Sequence, residues 1–371
     1  MEADLVTAVR NPIIELVDIN EELTKLWDKE QGQNKIRASL FNLIIYLQKD
    51  ERVDYFEQLI KTVVSKFPCR VIVIIDDASS SEPYLRTQVG AETIHEGETQ
   101  IFCEVIHVSA AGSLTERVPF IILPLLLPDL PIYLLWSRDP SGENAILPHL
   151  EPLAHRIIFD TESTKDLQSY SKAVLSLMHR FHCDVSDLNW SAFSGWRALF
   201  RQVFDTPDSL LSLVQSHTIR IYYNKNPSQY YLHTENKAAY LQAWLASRLN
   251  WTFQNIEINE GNIRLTYKKT MNEVAILLIP QDFSDLNAGA IGSIEIESEK
   301  NQGHYSFKRV SQGRQVNVQY SDKERCDLPT CSYLAGITEG QEIIKEIFYP
   351  STGKHYESML NAISGIPWGK G

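Results

Sequence analysis

Two patterns of apolar spacing divide the chain. From Arg37 to about Phe204, solid apolar runs alternate with segments of helical period; the runs are Leu40 to Leu47, Val71 to Ile75, Ile132 to Trp136 and Ile157 to Phe159. Runs without polar alternation belong to strands covered on both faces, the habit of a parallel sheet with helices on each side. Between the first two, Val53, Phe56, Ile60, Val63, Val64 and Phe67 recur at helical spacing over Glu51 to Lys66, and Pro68 stops that helix. A later helix is predicted over Lys165 to Phe181, after the capping candidates Ser163 and Thr164. Thr99 to Val108 is compatible with an antiparallel edge strand.

Beyond Trp190 to Asp205 the pattern changes. Ile219/Ile221/Tyr223, Ile263/Leu265/Tyr267, Ile294/Ile296 and Val316/Val318/Tyr320 alternate with polar neighbours, as strands with one wet face do. Tyr305 to Val310 and Arg314 to Tyr320 are separated by Ser311, Gln312 and Gly313, which suits a three-residue hairpin with glycine in the left-handed position. A helix from Glu235 to Leu249 sets Ala238, Leu241, Leu245 and Leu249 on one side, and two more helices, near Gln341 to Tyr349 and Tyr356 to Ile363, close the chain. The expected architecture is a three-layer α/β domain with a mostly parallel sheet over residues 1–205. An α+β domain with an antiparallel sheet and helices on one face follows over residues 206–371, joined near Asp205 to Asp208. A length of 371 residues agrees, being too great for one ordinary core.

Charge narrows the partners. With 47 acidic against 35 basic residues the formal charge is −12, and no segregated basic patch offsets it. Phosphate backbones and anionic headgroups would be repelled, so neither nucleic acid nor a membrane surface is an expected partner. The five cysteines Cys69, Cys103, Cys183, Cys326 and Cys331 are odd in number and mostly in apolar surroundings, which fits reduced thiols and a cytoplasmic location. Met1 to Arg10 carries Glu2 and Asp4 and does not read as a secretory signal. The one membrane-like run, Val118 to Trp136, is interrupted by Pro119, Pro124, Pro128 and Pro131 and contains Asp129, so it reads as a buried helix, a tight turn and a buried strand.

Signatures of catalysis are sparse. Neither G-x-G-x-x-G nor G-x-x-x-x-G-K-[ST] occurs, and Ala288 to Gly292 reads as a turn into the following strand. No G-x-S-x-G elbow is present, so no catalytic residue and no cofactor are expected. Ligands in α/β sheets sit beyond the carboxyl ends of strands, where Asp76, Asp77 and Arg138 stand. If those ends adjoin, they form a crevice for a sugar phosphate, a nucleotide or a metal; otherwise they only carry the strands into solvent. His179, His182, Cys183 and Asp184 resemble a ligand set, yet the usual zinc spacings need a second pair and a basic helix end explains the cluster without metal. Cys326 and Cys331 flank a proline turn that could bring them within disulfide reach, or leave them as thiols. Trp190, Phe193, Trp196, Arg197 and Phe200 recur at helical spacing. Spacing alone favours glue between the two domains; the functional alternative is a protein-binding face at Trp190, Trp196, Arg197 and Phe200.

Several ordered motifs carry a resemblance. Lys66 to Val73 (KFPCRVIV), Leu123 to Trp136 (LPLLLPDLPIYLLW), Asp187 to Trp190 (DLNW) with Trp196 and Arg197, and Leu241 to Leu249 (LQAWLASRL) resemble the glucose-6-phosphate dehydrogenase assembly protein family, OpcA. The resemblance runs in order from about Glu15 to the last helices. It implies a non-catalytic protein that helps the dehydrogenase assemble its active oligomer, or activates it, at the entrance to the oxidative pentose phosphate pathway. It supplies no catalytic residue. In photosynthetic members it implies a tie to thiol redox state, although the matched motifs contain only Cys69.

Overall fold

The computed structural model describes residues 19–30, 35–49, 52–96, 99–180, 183–228, 230–269, 272–310, 314–334, 342–348 and 353–368. Internal contacts divide the chain into two units, the first made of Met1–Asp160, Met178–Ser186 and Ile343–Pro350, the second of Thr161–Leu177, Asp187–Glu342 and Ser351–Gly371. The junction expected near residue 205 lies inside the second unit, because the helices before it pack on that unit's own sheet.

The first unit opens with α1 (Ile19–Glu30), β1 (Lys35–Arg37), β2 (Asn42–Gln48), α2 (Val53–Val64) and β3 (Arg70–Asp76). A hairpin of β4 (Tyr84–Glu96) and β5 (Thr99–Ala111) follows, then α3 (Val118–Ile122), β6 (Ile132–Ser137), α4 (Leu147–Leu150) and β7 (Arg156–Phe159); next in sequence, α5 (Leu167–Arg180) counts mostly with the second unit, and β8 (Asp184–Asp187) returns to the first. The solid apolar runs became the buried strands: Leu43 to Leu47 on β2 and Val71 to Ile74 on β3 are almost wholly withdrawn from solvent. The sheet runs β1-β5-β3-β2-β6-β7-β8, with β4 joined to β5. β2 is parallel to β3 and β6, β3 to β5, and β6 to β7. Counting β2 as the first strand, β5-β3-β2-β6-β7-β8 is the order 3-2-1-4-5-6 of the dinucleotide-binding (Rossmann) plan, whose crevice opens where β2 and β6 end. Thr99 to Val108 is therefore not an edge strand; β5 is interior, and the antiparallel edge is β4. The Pro-rich run folds as expected, with α3, a turn holding Asp129 at φ 62°, and β6.

The second unit contains α6 (Leu188–Ala192), α7 (Ser194–Val203), α8 (Pro207–Val214), β9 (Ser216–Asn224), α9 (Asn236–Arg248), β10 (Thr252–Asn259), β11 (Asn262–Lys268), β12 (Glu273–Gln281) and β13 (Ile291–Ser298). It continues with β14 (His304–Arg309), β15 (Gln315–Ser321) and β16 (Thr330–Tyr333); α10 (Glu342–Phe348) counts mostly with the first unit, and α11 (Gly353–Ser364) returns to the second. Its eight strands run β10-β11-β12-β9-β13-β14-β15-β16. The sheet is antiparallel, as expected, except for one central pair, β9 with β12, which runs parallel. Parallel neighbours need a long connection, and α9 with the β10/β11 hairpin provides it. Ile219, Ile221, Leu265, Tyr267, Ile294 and Ile296 point to the buried face, as their alternation predicts. The expected β14/β15 hairpin is paired, while its turn at residues 311–313 lies outside the described residues.

Candidate functional site

The carboxyl ends of β2, β3 and β6 bring Asp76 and Arg138 together. The Arg138 guanidinium lies 3.3 Å from Asp76 Oδ2 and donates to the Tyr46 hydroxyl at 3.1 Å. That hydroxyl donates in turn to Asp76 Oδ2 at 2.6 Å and accepts from the Asn144 amide at 3.2 Å. The Tyr46 ring is fully buried and stacked on Trp136 with centroids 4.0 Å apart, and burial followed by the Asp76 carboxylate raises its hydroxyl pKa far above the usual value. Asp77 faces other groups. It accepts from the Ser79 hydroxyl at 2.6 Å, the Tyr84 hydroxyl at 2.7 Å and Lys49 Nζ at 2.9 Å. Ser79 first, then Lys49 and Tyr84, hold the Asp77 carboxyl well below the usual range, while Tyr84, through burial and Asp77, is pushed up to about 12. Arg52, at the N-cap of α2, is buried against Asp160 beyond β7, and Ser137 donates to the same carboxylate at 2.9 Å.

Sequence reasoning found Asp76, Asp77 and Arg138 but missed Tyr46, Lys49, Arg52 and Asp160. A signal existed. Tyr46 carries the one hydroxyl of the Leu40 to Leu47 run, and Lys49, Arg52 and Asp160 stand just past the ends of apolar runs, as Arg138 does.

The aromatic segment lies in the interior of the second unit. Asp187 caps α6 by accepting from the Trp190 backbone N–H at 3.0 Å, and it also accepts from the Tyr170 hydroxyl at 2.8 Å. Trp190, Trp196 and Phe200 are no more than 4% exposed. Phe200 stacks on Phe307 of β14 at 5.2 Å and meets Trp244 of α9 edge-on, Trp190 touches Tyr356 of α11, and Phe193 meets Tyr240 of α9. These rings pack in the core of the second unit, where an amphipathic helix pair turns its wide apolar stripe inward. Arg197 is half-buried, with its guanidinium 3.6 Å from the Trp190 ring centroid and 4.5 Å from that of Phe193, and it donates to the Trp190 carbonyl.

Cys326 and Cys331 are exposed free thiols. Cys326 bridges to Ser321 and Cys331 is paired with Asn317, four residues apart along β15. Strand rise then separates them by about 13 Å, twice what a disulfide spans. Cys69 and Cys103 are buried, and burial raises both thiol pKa values, that of Cys103 to about 11. His182 lies outside the described residues; His179 is in the last turn of α5 and Asp184 begins β8. Among the described residues no three His, Cys, Asp or Glu side chains converge to hold a metal, and no helix is long and apolar enough to cross a membrane. Ala288 to Gly292 is a turn into β13, and Gly289 at φ 66° would place a Cβ 2.9 Å from the Thr234 carbonyl.

These features define a class: a Rossmann-ordered α/β unit and a mixed-sheet α+β unit. In fold the chain compares with levoglucosan dehydrogenase solved with NADH and L-sorbose, at a TM-score of 0.50 and 11% identity over 87% of this chain and 96% of that one, a likeness of fold alone. Residues 61–176 match the family described as the glucose-6-phosphate dehydrogenase subunit N-terminal domain, and residues 183–329 its C-terminal domain. The chain belongs to the glucose-6-phosphate dehydrogenase assembly (OpcA) family. Among its relatives is an OxPP cycle protein OpcA of Synechocystis sp., 27% identical over 194 residues, 52% of this chain and 39% of that one. Another, from Synechococcus elongatus, is 25% identical over 251 residues, 65% of this chain and 54% of that one. The chain spans about half the length of the curated relatives it matches.

Proposed function

We propose that this protein is a non-catalytic, cytoplasmic assembly factor that binds glucose-6-phosphate dehydrogenase, promotes its active oligomer and raises its activity in the oxidative pentose phosphate pathway. The observation that carries this reading is the consecutive match of both family domains, in order, across residues 61–176 and 183–329. The crevice supports it by default of chemistry: Asp76, Asp77 and Arg138 are engaged with neighbouring side chains, so a sugar phosphate or nucleotide there would have to displace internal partners. With Trp190, Trp196 and Phe200 buried, the contact belongs on another surface. The test is NADP reduction by the dehydrogenase of the same cell with and without this protein, paired with sizing of the mixture. Activation together with a co-migrating complex is expected; unchanged kinetics and no complex, at micromolar concentrations of both, would refute the proposal.

A further inference from the structure

The strand order implies a dinucleotide where β2 and β6 end, and the residues standing there do not fit one. We infer that the α/β unit keeps the architecture of a dinucleotide-binding domain with its cofactor crevice sealed by its own side chains. Three requirements of such a site go unmet.

The first is the phosphate turn. A dinucleotide turn uses glycine to bend tightly and to let backbone N–H groups approach the pyrophosphate at a helix N-terminus. Between β2 and α2 stand Lys49, Asp50, Glu51 and Arg52, with no glycine. The carboxylate of Asp54 in the first helical turn opposes an incoming pyrophosphate.

The second is free positive charge. Lys49 pairs with Asp77 at 2.9 Å, Arg138 with Asp76 at 3.3 Å, and Arg52 with Asp160. Each pair joins the ends of different elements, so these cations are already engaged and the strand ends are cross-tied. Arg52, the cation nearest the helix start, is only 3% exposed and lies 5.0 Å from the Tyr55 ring centroid and 5.3 Å from that of Phe56. Turning it towards a phosphate would break its buried ion pair with Asp160.

The third is an acid for the ribose. The end of the second strand is where a carboxylate receives ribose hydroxyls, and Asp76 and Asp77 stand there. Asp76 already accepts from Tyr46 and Arg138, and Asp77 from Ser79, Tyr84 and Lys49. Tyr46 and Arg138 are also the side chains that meet at the switch point between β2 and β6, so they fill the crevice as well as engaging its acid. Whatever this protein does to a partner, it does without a nicotinamide dinucleotide of its own.

Titration of the protein alone with NADP+, NADPH, NAD+ and NADH tests this, and because no dehydrogenase is present the result is independent of the proposed partner. The expected outcome is no saturable heat and no change in NADPH fluorescence up to ~1 mM, the weak end of specific binding. Saturable one-site binding of any of the four below that concentration would overturn the inference. The second arm is melting of Tyr46→Phe and Arg138→Ala. Side chains that seal a crevice carry structural weight, so both are expected to lower Tm by about 3 °C or more, and unchanged melting in both would also overturn it.

Discussion

Arg197 shows how a residue type that marks interfaces can be spent inside a fold. Trp and Arg at helical spacing suit a hot spot, but here the guanidinium lies on the rings of Trp190 and Phe193 and donates to a backbone carbonyl. Arg197→Ala is expected to destabilise the second unit by about 2 kcal/mol, the sum of a partly desolvated cation–π contact and one hydrogen bond. Denaturant unfolding followed by tryptophan fluorescence checks this, and a midpoint equal to wild type would refute it. Asp77 gives a pH signature. Its folded pKa is depressed by Ser79, Lys49 and Tyr84, so the stabilisation is present above the unfolded value and lost as pH falls towards the folded one. The Tm gap between wild type and Asp77→Asn should be widest near neutrality and shrink below pH ~4. A gap constant with pH would show that the carboxylate charge contributes nothing.

At the scale of elements, register decides what the exposed cysteines can do. Cys326 opposite Ser321 and Cys331 opposite Asn317 cannot join unless the segment between them leaves β15. Mild oxidation followed by mass mapping should find the two thiols capped separately, whereas Cys69 and Cys103 label only after unfolding. An intramolecular Cys326–Cys331 link formed without loss of fold would contradict the register. The strands with both faces covered were legible in the sequence because Leu43 to Leu47 and Val71 to Ile74 have no polar alternation to confuse them. β4 was not legible: Thr87 and Val89 are buried between exposed Arg86 and Gln88, so its alternation is mostly of polar residues. The parallel β9/β12 pair was equally hidden, since side-chain period is the same in both kinds of sheet and only the connection through α9 distinguishes them. In the crevice Asp76, Asp77 and Arg138 could be read, but pairings such as Tyr46 with Asp76 or Arg52 with Asp160 are brought together only by strand order.

For the whole molecule, the proposed activity places a thermodynamic demand on both partners. An effector can promote the dehydrogenase's active oligomer only by binding it more tightly than the inactive form, by the same factor that it shifts the equilibrium. The coupling is reciprocal. Any ligand of the dehydrogenase that favours the active oligomer, its own sugar phosphate or NADP+, should therefore tighten this protein's binding by the factor with which this protein tightens that ligand's. The sealed crevice makes the experiment clean, because a dinucleotide added to the mixture acts through the dehydrogenase alone. Affinity of the protein for immobilised dehydrogenase, measured with and without saturating NADP+, is expected to rise roughly 5- to 150-fold, the span of typical coupling energies. Equal affinity under both conditions, in a mixture where activation is observed, would show that the protein acts on the dehydrogenase's rate without shifting its assembly, and would reject the oligomer-promoting half of the proposal.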